Sequence, residues 1–412
     1  MYRLIPAFAL LLSCLVASAQ YDPRADVDHL HATLRKTHSY RDQVKGAKKT
    51  AYEALVTQVT SRLAVAKPGF DRFYMLSQLL LPISDNHLYF YQAREAITEK
   101  MLFDSAYVQK YRTSEAYRTF PRVRISLDSL EAALRPKSRD SIEGIYQYSG
   151  MLTVGIYRTI KRDSLVAVVL QSRIPTWQRG DLYEVLKEYQ PNRFHIWRAE
   201  MLYRTFGLMR AEKLQNGRLP KSQLTKLPEG PAFYDPPAGT PVFLFQRPGP
   251  NTSYVRIGTF AGFTLEQRRQ ARELFGKVRD SLSGNLVIVD LRNNGGGASS
   301  SSDPILELLK KFKGDIAVLV NGNTVSNAEQ FAIELSRLKN TRTFGEATHA
   351  MITYGSNYGN REKLPSGEFE LYITDMSDKG NFAPFEDEGL KPGVLLNNDR
   401  DWVEQVLKLY NR

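Results

Sequence analysis

Cysteine is nearly missing from this 412-residue chain, with Cys14 the only example. Cys14 falls in an N-terminal stretch that reads as a removable leader, so the mature chain is expected to carry no thiol. That excludes disulfides, thiolate catalysis and cysteine-ligated zinc. Histidine is scarce too, and His29, His31, His38 and His195 lack any spacing suited to metal ligation. No metal or cofactor is expected. Collagen-like, disordered and repeated segments are absent from the sequence, whose 42% hydrophobic and 24% charged residues suit a soluble globular protein.

The first apolar run, Leu4 to Val16, is too short for a membrane span. Arg3 precedes it, and Ala17-Ser18-Ala19 gives a small-x-small cleavage pattern before Gln20. Residues 1–19 are therefore expected to be a signal peptide, with the mature protein periplasmic or extracellular. The competing expectation is a lipoprotein acylated at Cys14, since Leu11-Leu12-Ser13-Cys14 approximates a lipobox. The net charge of +12 is spread through all regions, which argues against nucleic acid as a partner. A basic surface suits association with anionic envelope components, or is simply a solvated surface.

Beyond the leader the pattern divides the chain in three. Residues 20–135 read as a helical domain, with Val27, Leu30 and Leu34 at helical spacing and apolar stripes through Tyr52–Leu63 and Phe70–Leu81. Pro82 interrupts the second stripe, Ile83–His87 reads as a turn, and Ala93–Leu134 as a polar helical stretch. Residues 136–235 predict a small antiparallel β module, from the β-branched and aromatic runs Ile145–Tyr157, Leu165–Leu170, Phe194–Leu202 and Thr205–Arg210. Residues 236–412 alternate strand and helix, which predicts an α/β unit with a largely parallel sheet. A hairpin around Ser366-Gly367 and a final helix over Trp402–Tyr410 complete it.

Two strand ends in the α/β unit carry unusual sequence. Asp290 is followed by Leu291-Arg292-Asn293-Asn294-Gly295-Gly296-Gly297. Three glycines after an apolar strand can turn backbone N–H groups towards an oxyanion, or can form a flexible linker into Ser299–Ser302. The second strand end, Val320, leads through Asn321–Val325 to Ser326. A serine at a strand-to-helix junction lies beside unpaired helix N–H groups that stabilise negative charge. Ser326 and Glu329 also match a capping box, so Ser326 could be only a helix cap.

Together VDLRNNGGG (289–297), the strand Ile316–Val320, TVSNAEQFA (324–332), FGEAT (344–348) and EDEGLKP (386–392) resemble the tail-specific (C-terminal processing) protease and tricorn-core family of serine peptidases. The resemblance is close over roughly the last 160 residues and weak upstream. It implies a crotonase-like α/β core of the ClpP type, with Ser326 as nucleophile and the backbone N–H groups of Gly297 and Asn327 as oxyanion hole, Gly296 supporting them. The processing-protease branch uses a lysine as base, but the corresponding position here is Met351, which cannot accept a proton. The tricorn branch takes a histidine from upstream, and Asp85-Asn86-His87 resembles its motif. Histidine titrates near neutrality and so can take and return the serine proton. That branch also implies Glu386, three residues before Gly389, holding the base through a small polar neighbour. Asn86 stands where a serine is expected there.

His349, close to the vacated lysine position, is the competing base. His87 could also be a satisfied turn or core histidine, and Glu386 a solvated acid. The resemblance leads to an exported serine endopeptidase acting on peptides or unfolded proteins. The alternative is a non-catalytic member of the same fold that binds a peptide or small ligand, as retinoid-carrying relatives do. Processing proteases usually carry a PDZ domain before the core, yet residues 136–235 show no carboxylate-binding Gly-Leu-Gly loop. A substrate-facing or lid-like β domain is expected instead. The sequence is silent on oligomeric state.

Overall fold

The computed structural model describes residues 22–410, apart from 162, 229, 231, 358 and 379. The expected signal peptide and Cys14 lie outside the described residues. Among those that are described, no helix is long and apolar enough to cross a membrane.

The chain opens with helices α1 (Pro23–Leu34), α2 (His38–Gln43), α3 (Ala47–Leu63) and α4 (Phe70–Ser77), followed by the short strand β1 (Tyr89–Gln92). The expected helical stretch over 93–134 is broken. It holds one 3-10 turn and the short helices α5 (Ser105–Arg112), α6 (Glu115–Arg118) and α7 (Leu127–Leu134). Each starts at a side-chain cap, Asp104, Ser114 or Ser126. These closely spaced caps stop one long helix from forming.

Strands β2 (Gly144–Tyr148), β3 (Leu152–Arg158), β4 (Ser164–Ser172), β5 (Leu182–Gln190), β6 (Arg193–Ala199), β7 (Phe206–Lys213), β8 (Arg218–Leu219) and β9 (Leu224–Lys226) follow. The α/β unit contributes β10 (Phe243–Gly249), β11 (Thr252–Ile257), α8 (Leu265–Ser281), β12 (Leu286–Asp290), α9 (Ser299–Lys311), β13 (Asp315–Val320), α10 (Asn327–Ser336) and β14 (Thr341–Gly345). It ends with β15 (Arg361–Lys363), β16 (Phe369–Tyr372), β17 (Val394–Leu395) and α11 (Trp402–Tyr410).

These strands form two sheets. The first has 11 strands in the order β15-β16-β1-β7-β6-β5-β4-β3-β2-β9-β8. The helical segment and the β module expected as separate units thus share this sheet and one core. Phe73 of α4 stacks on Phe90 of β1 at 5.4 Å, and Trp197 of β6 donates to Ser77 Oγ at 2.6 Å. The hairpin β15–β16, from the α/β unit, adds to the same sheet with Tyr89 opposite Tyr372. Local periodicity reveals strands but not their distant partners, so the sequence divides what the fold joins.

The second sheet has six strands, β10-β11-β12-β13-β14-β17, and is parallel except for β10. Every residue of β12 is buried, as suits a strand covered on both faces. Val287 and Val289 face α8, α9 and α10, while Leu286 and Ile288 face Trp402 and Val406 of α11. The C-terminal ends of β12, β13 and β14 carry the loops 291–297, 321–326 and 346–354.

The two sheets meet where the β8–β9 hairpin docks on the loop after β13. A methyl group on Gly322 would lie 2.7 Å from Pro220 Cγ, so only glycine admits this contact. Buried Arg218 pairs with Glu346, and Asn216 Nδ2 donates to the same carboxylate at 2.6 Å. α11 is held on the sheet mainly by Trp402, which has no exposed surface. Trp402→Ala is expected to destabilise the protein by about 3–5 kcal/mol, read as a lowered urea midpoint by tryptophan fluorescence and circular dichroism.

Candidate active site

Three loops at the strand ends are stitched by side-chain amides and hydroxyls. Asn321, fully buried, donates through Nδ2 to Tyr234 O at 2.9 Å and Asn293 Oδ1 at 2.8 Å. Thr324 Oγ1 donates to Leu291 O at 2.9 Å, and Val325 N–H to Asn294 O at 2.9 Å. The chain then turns sharply at Ser326, whose φ of 57° and ψ of −124° are strained for a residue with a side chain. Ser326 N–H donates to Glu329 Oε2 at 3.0 Å, but no side-chain cap hydrogen bond forms at Ser326. The positive φ explains this, because a capping serine takes extended backbone. The hydroxyl is left for another partner.

That partner is His87. Nε2 of its imidazole lies 3.0 Å from Ser326 Oγ, although the two residues are 239 apart in sequence. Nδ1 lies 2.8 Å from Thr353 O. A carbonyl only accepts, so Nδ1 carries the hydrogen and Nε2 is left to accept the serine proton. The turn before the histidine is fixed on both sides. Asp85 accepts from Leu88 N–H at 3.1 Å and Thr374 Oγ1 at 2.7 Å, while Gln43 and the Ser84 backbone exchange two 2.8 Å bonds. Burial holds the His87 imidazole below its ordinary value, with the Lys221 charge acting the same way. The Glu386 charge and the Thr353 carbonyl act against this lowering. At neutral pH the imidazole is therefore a free base.

Glu386 does not touch His87 directly. Its Oε1 accepts from Asn86 N–H at 2.7 Å and Asn86 Nδ2 at 2.8 Å, and its Oε2 from Ile352 N–H at 2.8 Å and Thr353 N–H at 2.9 Å. The acid thus grips both the residue before the histidine and the segment whose carbonyl orients it. Asn86 Nδ2 also reaches Asp387 Oδ1 at 2.7 Å. An amide bridges here where a serine hydroxyl, with one hydrogen, could not.

On the other side of Ser326 lies the glycine loop. A methyl group on Gly296, at φ 85°, would sit 2.7 Å from Val325 O and 3.0 Å from Asn327 N, so the bare backbone is required for the two loops to close. Gly296 N–H is taken by Asn294 Oδ1 at 2.9 Å. Among the described residues, the N–H groups of Gly297 and Asn327 find no hydrogen-bond acceptor, and Asn327 opens α10. A neutral imidazole on a hydroxyl, beside free N–H groups at a helix N-terminus, is an arrangement competent for acyl transfer.

His349 is directed elsewhere. Its Nδ1 bonds Gly322 O at 2.9 Å, and burial lowers its pKa to about 3. Met351 donates its N–H to Glu329 Oε2 at 3.0 Å. Glu329, read from sequence only as a cap partner, also takes Thr348 Oγ1 at 2.5 Å and Ala350 N–H at 2.7 Å. Burial raises this carboxyl to about 7, against the donors that favour its ionised form. Thr353 has no signal in the sequence because its contribution is a backbone carbonyl. Among the described residues no cluster of three or more His, Cys, Asp or Glu side chains could hold a metal ion.

No protein-family model and no curated protein matches the chain. Solved structures with similar features include the photosystem II D1 C-terminal processing protease, at 13% identity over 95% of this chain and 98% of that one with a TM-score of 0.37. Mature CPAF aligns at 10% identity over 94% and 96% with a TM-score of 0.42, and the tricorn protease at 10% over 94% and 36% with a TM-score of 0.40. Likenesses this distant do not transfer a function.

The lowered His87 pKa has a definite sign. If the neutral imidazole activates the Ser326 hydroxyl, labelling by a fluorophosphonate should stay level from pH 8 to about 6.5 and fall only at lower pH. A rate that declines through pH 7 or above would contradict this.

Proposed function

We propose that the chain is an exported serine endopeptidase with a crotonase-like, ClpP-type core of the tricorn type, in which Ser326 is the nucleophile and His87 the general base. The observation that carries this reading is the 3.0 Å contact between His87 Nε2 and Ser326 Oγ, with the other ring nitrogen held by a carbonyl. The order of the five sequence motifs supports it independently.

In the proposed reaction His87 Nε2 takes the hydroxyl proton as Ser326 Oγ attacks the peptide carbonyl. The oxyanion is met by the N–H groups of Gly297 and Asn327. The imidazolium passes its proton to the leaving amine, the C–N bond breaks, and an acyl-enzyme remains. Water then attacks the ester while His87 takes its proton and returns it to Ser326. The charge on Glu386 favours the transient imidazolium without a direct bond to the ring. Extended peptides or unfolded proteins are the proposed substrates, and the periplasm or cell exterior the proposed location.

Hydrolysis of casein by wild type and by Ser326→Ala, His87→Ala and His349→Ala variants tests the reading. Ser326→Ala is expected to be inert, His87→Ala to lose about 10²–10⁴-fold in kcat, and His349→Ala to keep most activity. Full turnover by Ser326→Ala would overturn the assignment. Gly296→Ala, which pushes the two loops apart, is expected to lower kcat about 10²-fold with little change in circular dichroism.

A further inference from the structure

One buried charge lies outside every motif used so far. Lys221 occupies the turn between β8 and β9 and is only 8% exposed. Lysine is seldom buried unless its ammonium is fully partnered. Here Nζ donates to Arg210 O at 2.8 Å, Asn86 Oδ1 at 3.1 Å and Ala350 O at 3.4 Å. Three N–H bonds thus meet three acceptors. The backbone on either side is anchored as well. Arg198 Nη1 reaches Ser222 O at 3.1 Å, and Ser222 N–H donates to buried Glu212 at 2.7 Å.

The chemistry of this contact decides which way the Asn86 amide points. An ammonium only donates and a carboxylate only accepts. Lys221 therefore fixes Oδ1 on its own side, and Nδ2 must face Glu386 and Asp387. A flipped amide would set NH₂ against an ammonium and oxygen against two carboxylates. Glu386, so engaged, holds the Ile352 and Thr353 N–H groups, and Thr353 O orients His87. Resting on the peptidase reading above, we propose that Lys221 is a positioning residue for the general base, acting through the amide of Asn86.

The charged and titratable groups around Lys221 come from six places. Arg210, Glu212 and Lys213 belong to β7, His195 to β6, Glu386 and Asp387 to the loop before β17, Glu329 to α10, His87 to the turn before β1 and His349 to the loop after β14. Burial pulls the Lys221 ammonium below its ordinary value, and Asp387, Glu212, Glu386 and Glu329, which favour its charged form, offset this only in part. Burial likewise raises Asp387, but Arg210 and Lys221 outweigh it and hold that carboxyl below its ordinary value. Removing Lys221 would leave the Glu386 charge acting on His87 with less opposition.

The test is a double-mutant cycle with Lys221→Met, Asn86→Ala and the pair, each checked for folding by circular dichroism. Lys221→Met is expected to lose about tenfold or more in kcat. KM should stay within about twofold. The double variant should lose no more than Asn86→Ala alone, because both changes break one path. Unchanged kcat in folded Lys221→Met, or losses that multiply in the pair, would overturn the proposal. If Lys221→Met does not fold, Lys221→Gln, which keeps a donor for Asn86 Oδ1, is expected to hold kcat within about threefold of wild type, and a loss as large as that of Asn86→Ala would overturn the proposal. A readout independent of turnover is the His87 titration followed by NMR. It should move upward when the positive charge is removed, and an unmoved titration counts against Lys221. Absence of hydrolysis by wild type would sink the peptidase reading itself, with the titration still deciding whether Lys221 governs His87.

Discussion

Four N–H groups converge on the Glu386 carboxylate, two from Asn86 and one each from Ile352 and Thr353. A buried carboxylate is tolerated only when its oxygens are satisfied, and each bond to a charged group contributes about 1.5–3 kcal/mol. The donors come from two segments far apart in sequence, the turn before β1 and the loop after β14. Gathering them sets the distance between those segments, and that distance decides where the imidazole ring and its acceptor carbonyl fall. The acid shapes the site without touching the ring.

Strain collects around the same centre. Ser326, Ala350, Tyr354 and Asp387 all have positive φ, at 57°, 66°, 57° and 65°. Such conformations cost on the order of 1–3 kcal/mol each and persist only where the surroundings over-determine them. Glu329 provides much of that determination, because its carboxyl binds the N–H groups of Ser326, Ala350 and Met351 together. The helix cap foreseen in the sequence is real on the glutamate side. It serves to hold the turn, and the serine hydroxyl is thereby spared for the histidine.

Much of the six-stranded sheet was legible because buried parallel strands are continuous apolar runs, and Leu286–Leu291 and Ile316–Val320 read that way. The serine, the glycine loop and the Asp85-Asn86-His87 turn stood out because turn-forming residues followed or preceded apolar periodicity. The eleven-stranded sheet was only partly legible. Its middle strands carry β-branched alternation, but β1 is four residues long and β15 three, too short for a pattern to register. Their pairing is a matter of distance in space. The choice between His87 and His349 was open in the sequence for the same reason: both are half-buried histidines near turns, and only the fold sets one ring nitrogen on Ser326 and turns the other towards Gly322. Lys221 had no local signal, since a lysine in a turn normally points to water.

The interleaving of the two sheets also fixes a timetable. β1 is made early, yet its neighbour β16 is made only after β10 to β14. A ribosome releasing this chain delivers His87 long before Ser326, and the strand that completes the sheet beside His87 later still. The nascent polypeptide is consequently unable to assemble its hydroxyl–imidazole pair until synthesis is almost finished. Chain order alone delays the meeting of the two groups.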